Sequence, residues 1–189
     1  MNTEPPIPLL PADIEEPADL VAAIRQRRGG ELLKLDRMLL HSPALAEGWN
    51  AYLGAVRTGL SVPLKLRELA MCGVAILNGA EYEFEHHSPI FIEAGGTPEQ
   101  ALAIRQIDSE TFPVGLFPEL EQDVLALTRE MTRDIRVAGA LKRRLVRALG
   151  VQQTVELVAV VATYNMVSRF LVALSIESEH RGDGPAHPR

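Results

Sequence analysis

A single break in an otherwise continuous helical pattern sets the architecture of this chain. Residues 67–87 read RELAMCGVAILNGAEYEFEHH. Ahead of the break, Leu66, Leu69, Ala70, Gly73, Val74 and Leu77 recur at helical spacing. Asn78-Gly79 interrupts that spacing, because both residues accept left-handed backbone angles. A second helical run starts near Ala80 and continues to Gly95-Gly96. Two helices joined by so short a break form a hairpin or a sharply bent pair. The second helix begins with Glu81, Glu83, Glu85, His86 and His87, a dense group of ionisable side chains between two apolar runs. Glu83 and His87 are one helical turn apart and share a face.

The flanking sequence extends the helical pattern. The segment before Gly29-Gly30 predicts a short helix opened at Pro17, and Leu32 to Leu40 is a further apolar segment. Ser42-Pro43 predicts a helix start, with Leu45, Trp49, Tyr52, Leu53 and Val56 along one face. Thr97-Pro98-Glu99-Gln100 has the form of a capping box. Residues 108–118 predict a loop, and Leu120, Val124, Leu127 and Met131 a helix after it. Gly150 should end a helix over Ala140–Leu149, and the last helix should run from Val151 to about Glu177. No strand alternation survives, so the expected class is all-α, a bundle of about eight helices. Prolines at 5, 6, 8, 11 and 17 make residues 1–17 an extended arm ahead of one helical domain at 18–178, with residues 179–189 a disordered tail.

Composition narrows the classes of function. A net charge of −6 argues against a general nucleic-acid surface. Cys72 is the only cysteine, which excludes an internal disulfide and a cysteine-rich metal site. The acidic, proline-rich start does not read as a signal peptide. Val155 to Ile176 is long enough to span a bilayer, but Glu156, Asn165 and Arg169 interrupt it and favour a buried bundle helix. The expectation is a cytoplasmic protein with no membrane partner.

The Trp49/Tyr52 helix, the RELA start at 67–70, the EYEFEHH segment, the AGG turn and the final helix with Tyr164-Asn165 and Arg169 resemble the carboxymuconolactone decarboxylase family, which includes the AhpD-type alkylhydroperoxidases. The resemblance covers about Ser42 to Ser178 and implies an AhpD-like helical bundle. AhpD-type peroxidases carry Glu, eleven residues, Cys, two residues, Cys, three residues, His. On this chain the Glu is Glu68 and the His is His87, while the two cysteine positions fall on Ala80 and Glu83. A thiol peroxidase needs an attacking thiolate and a resolving thiol, and neither position supplies one. Cys72 stands four residues after Glu68 and could face the same cleft or be a small buried hydrophobe.

The resemblance therefore points to proton transfer. Glu68, Glu83 and His87 are the candidate catalytic residues, or a polar cluster holding two helices together. Tyr82, His86 and Arg169 are candidate substrate-binding residues, with Arg169 a bidentate anchor for a carboxylate. Glu81 and Glu85 read as solvated charges. Neither a metal nor a cofactor is expected, since adjacent histidines diverge on a helix. The implied function is cofactor-independent decarboxylation, or related proton-transfer chemistry, on a small lactone or unsaturated carboxylic acid. Arg169 would orient the substrate and His87 or Glu83 would protonate it. A peroxidase-related oxidoreductase and a non-catalytic binding member of the fold are the alternatives. The family also implies a homo-oligomer, trimer-based in preference to a dimer.

Overall fold

The computed structural model describes residues 7–176. Among these the structure is all-α. The helices are α1 (Ala18–Arg28), α2 (Lys34–Leu39), α3 (Pro43–Thr58), α4 (Leu64–Leu77), α5 (Glu81–Glu93), α6 (Pro98–Ile104), α7 (Glu119–Arg133) and α8 (Gly139–Ala173), with one 3₁₀ turn at Val114–Leu116.

Helix α4 is central and packs against α5, α7 and α8. Its sequence is apolar on almost every side, and Leu69, Ala70, Cys72 and Val74 are fully buried. Each such leucine or valine contributes roughly 1.5–3 kcal/mol of burial. Gly79 takes φ 68 at the end of α4, and the chain turns directly into α5. The expected reversal is therefore present, and it sets α5 along α4. One apolar core surrounds α4 and includes Leu127, Leu145, Leu157 and Val161. A second core gathers α1, α2 and α3 with the end of α8, through Ile24, Leu35, Trp49, Leu53, Val167 and Leu171.

Several local expectations hold in detail. Thr97 Oγ1 accepts from Gln100 N, and Gln100 Oε1 accepts from Thr97 N, both at 3.1 Å, which completes the capping box. Gly150 sits at φ 77, ψ 173 and divides α8 into segments 139–149 and 151–173. Ser42 occupies the start of α3, but its side chain makes no capping bond. The final helix stops at Ala173, short of Glu177, because Ser175 turns left-handed at φ 54 and its N–H closes on Val172 O. Tyr52 is exposed, with its hydroxyl 2.8 Å from Thr163 Oγ1, so it does not join the buried face of α3.

Residues 7–16 lie over their own chain. Arg37 Nε donates to Leu10 O, His41 Nε2 to Pro8 O at 2.7 Å, and Arg25 to Ala12 O at 2.8 Å. The first six residues and the expected tail lie outside the described range. Among the described residues α8 is the one helix long and apolar enough to cross a membrane, and half of its most apolar window is buried inside the protein.

Candidate active site

A cavity of about 410 Å³ opens where α1, α3, α4 and α5 meet. The reversal at Asn78-Gly79 brings Glu68 of α4 opposite Glu83 and His87 of α5. Glu68, Glu83 and His87 are 5%, 3% and 6% exposed, and all three line the cavity. His87 Nδ1 lies 2.7 Å from Glu68 Oε2, and its Nε2 lies 3.2 Å from Glu83 Oε2. Carboxylates within 2.7 Å of one ring nitrogen and 3.2 Å of the other favour the doubly protonated form, an imidazolium. Burial works against that charge, but Tyr164, Glu68 and Glu83 outweigh it and hold the pKa well above the ordinary histidine value.

The two contacts differ in quality. The Glu68 contact is a hydrogen bond. The Glu83 contact has ion-pair distance, yet its direction leaves Glu83 Oε2 without a hydrogen-bond partner. Burial raises the Glu83 pKa, and His87, Arg57 and His86 more than reverse this, so the carboxyl is held below its ordinary value. Glu83 thus lines the cavity as an ionised side chain, while its unpartnered Oε2 is itself buried against the His87 ring. Such an oxygen is costly to bury, and the lowered pKa favours the charged form that can accept a hydrogen bond or a proton while making it a weaker base.

His86 also lines the cavity. Its Nδ1 lies 2.8 Å from Tyr82 O, and a carbonyl accepts only, so Nδ1 carries the proton and Nε2 is the nitrogen left for a ligand. The Tyr82 and His86 rings lie 4.3 Å apart at 32°. Tyr82 is buried and lines the same wall.

Arg169 lies elsewhere. It is exposed and does not line the cavity, and among the described residues its one hydrogen bond is to Asn165 O at 3.5 Å. Its helical partner Asn165 bridges α4, α7 and α8 through Asn78 and Thr132, at 3.0 and 2.9 Å. That arrangement serves interhelical bonding. Cys72 is fully buried in the α4 core and does not line the cavity either. Burial, followed by Glu68 and Glu83, pushes its thiol pKa up. Glu81 pairs with exposed Arg105, as a surface charge would. Among the described residues no group of three or more His, Cys, Asp or Glu side chains is arranged to hold a metal ion.

Arginine enters the cavity from other helices. Arg57 of α3 and Arg27 and Arg28 of α1 line it. Arg57 Nε donates to Tyr164 OH at 3.1 Å, and the Tyr164 ring meets His87 edge-on at 4.9 Å. Burial lowers the Arg57 pKa, while Tyr164, Glu83 and Asp36 reverse this and leave it raised. These residues were legible in part. Arg57 follows Leu53 by one helical turn and falls on the apolar face of α3, and Arg28 stands in the same relation to Ile24. A charged residue on an apolar face was the available signal.

The helical topology is that of the AhpD-like proteins. The chain is similar to a crystal structure of an alanine-for-cysteine variant of the debrominase Bmp8 in complex with 2,3,4-tribromopyrrole, at 17% identity and TM-score 0.74, over 95% of this chain and 94% of that one. It is equally similar to an uncharacterized peroxidase-related protein from Silicibacter sp. TM1040, at 16% identity and TM-score 0.74, over 95% and 96%. No curated protein matches the chain. Residues 43–113 match the Carboxymuconolactone decarboxylase family, and the paired redox cysteines are absent from them. That segment contains α3 to α6 and hence Arg57, Glu68, Tyr82, Glu83, His86 and His87.

Proposed function

We propose that this protein moves a proton to and from carbon on a small unsaturated lactone acid or unsaturated carboxylic acid, without a cofactor. The observation that carries this reading is the Glu68–His87–Glu83 cluster on the wall of a cavity that also receives arginine. Glu83 takes a proton from the γ-carbon, and the C–H electron pair moves into a dienolate. His87 and Arg57 place positive charge near the developing oxyanion. The proton on Glu83 then returns to the α- or γ-carbon, and the carboxylate is regenerated. Loss of CO2 from a substrate with a second carboxylate gives the same dienolate, so decarboxylation belongs to the same chemistry. Arg57 takes the anchoring role first expected of Arg169, because its two terminal nitrogens make no hydrogen bond among the described residues.

A small ring suits a cavity of about 410 Å³, and the similar debrominase structure holds a small heterocycle. The peroxidase-related alternative lacks support at this site, since the lone thiol is buried away from the cavity. The test is proton exchange into a butenolide γ-acetate in D2O, followed by NMR, together with CO2 release from its γ-carboxylated analogue. Exchange above the buffer rate supports the reading. Binding without exchange or CO2 release favours the non-catalytic alternative.

A further inference from the structure

The basic wall of the cavity is richer than one anchor requires, and part of it lies outside the family segment. Arg27 and Arg28 stand on the last turn of α1, ahead of residue 43 where the family match begins. Arg28 is committed, with Nε and one terminal nitrogen on the two Asp36 oxygens at 2.9 and 3.0 Å. Arg27 is not. Its Nε donates to Asn50 Oδ1, one terminal nitrogen sits 3.5 Å from Asp36 Oδ1 at the limit of a hydrogen bond, and the other makes none among the described residues. Its side chain is 28% exposed at the cavity mouth.

The charges around the cavity do not cancel. Arg27, Arg28, Arg57 and imidazolium His87 face the carboxylates of Asp36, Glu68 and Glu83, which leaves one positive charge over. The whole chain carries −6, so this excess is local. Burial and then Arg28 hold the Arg27 pKa below its ordinary value, against Asp36, and Arg57 adds to the repulsion. An anion placed between Arg27 and Arg57 would relieve it.

We propose that Arg27 and Arg57 together hold the carboxylate of a small monoanionic substrate, so that α1 completes the site and sets its charge selectivity. The word substrate rests on the proton-transfer reading; the anion subsite does not. One consequence concerns the reaction. A carboxylate clasped by two guanidiniums is stabilised as an anion and resists departure as neutral CO2. A monoanion therefore keeps its carboxyl group. The proton leaves the γ-carbon for Glu83 and returns at the α- or γ-carbon, shifting the double bond with no net change in atoms.

The test uses the full chain and three probes of similar size, titrated by protein NMR: crotonate, neutral crotonamide and dianionic fumarate. Crotonate should bind about tenfold more tightly than either of the others, a difference of about 1.4 kcal/mol. Arg27→Gln should weaken crotonate by about tenfold and leave crotonamide unchanged, Arg27→Lys should recover part of the loss, and the distant Arg133→Gln should have no effect. No crotonate binding by the wild type, equal binding of crotonate and crotonamide, a preference for fumarate, or full crotonate affinity in Arg27→Gln would each overturn the proposal. If Arg27→Gln loses crotonate while Glu83→Gln keeps proton exchange, the subsite stands and the proton-transfer reading falls. The converse pair of results removes the subsite and keeps the chemistry.

Discussion

At the scale of the residue, the site is a cation held between two buried carboxylates, and each member has a separable consequence. Glu83→Gln keeps the volume and leaves Glu68 as the partner of His87, so its stability loss at neutral pH should be smaller than that of His87→Asn. Proton exchange should fall by about 10²–10⁴-fold, the usual contribution of a positioned base. Full exchange in a folded Glu83→Gln protein would assign the cluster to structure. His87→Asn should act on stability as well, since it leaves Glu68 and Glu83 buried without their cation. A loss of about 3–5 kcal/mol is expected near neutral pH. The pH dependence follows from the directions of the shifts. The His87 pKa is raised, so its contribution is complete below the ordinary value of 6.5 and is lost as pH rises through the folded value. The Glu83 pKa is lowered, so its contribution is present above 4.5 and is lost as pH falls through the folded value. His87→Asn lacks this group, so urea denaturation should show a penalty that is complete below about pH 6.5 and shrinks as pH rises towards the folded His87 value. A penalty independent of pH would contradict the charged assignment. Cys72 should resist a thiol reagent in the folded protein and react in denaturant, because it is 0% exposed and burial raises its pKa. Rapid native labelling would restore a thiol-based reading.

At the scale of the element, helical spacing and turn chemistry carried most of the information. The α4–α5 reversal, the Thr97 capping box and the division of α8 at Gly150 were all legible, because each depends on residues close together in sequence. Gly150 allows a direct check. Its φ 77, ψ 173 lies in a region open essentially to glycine alone, and a Cβ there would meet nothing within 4 Å. Gly150→Ala should therefore cost about 1–3 kcal/mol through backbone strain, read by chemical denaturation. An unchanged midpoint would show that the two segments of α8 can join without this kink. Less was legible where an element meets a distant one. Arg169 looked like a buried polar group on an apolar helix, but periodicity does not say which face a neighbour covers, and its face is open. The surroundings of Arg57 come from α5 and α8, remote in sequence. Arg28 has a local signal in its spacing from Ile24, but the packing of α1 over the cavity, which also brings Arg27 there, has none.

At the scale of the whole molecule, two cores meet around one cavity, and α8 leaves an apolar surface open. Val151, Val155, Val158 and Met166 recur on that helix at near-helical spacing and are exposed. Self-association through this face, trimer-based as the resemblance implies, is the expected state. Light scattering at micromolar concentration should then return a mass several-fold above the 20.7 kDa chain, whereas a monomer mass would leave the valine face without a partner. The central claim is chemical, and its most direct measurement is the exchange of the γ-proton of a butenolide γ-acetate in D2O, with wild type and Glu83→Gln compared side by side. The expected result is exchange well above the buffer rate with the wild type, reduced about 10²–10⁴-fold in the folded variant. Exchange at the buffer rate with wild type, or an equal rate with both proteins, would contradict it.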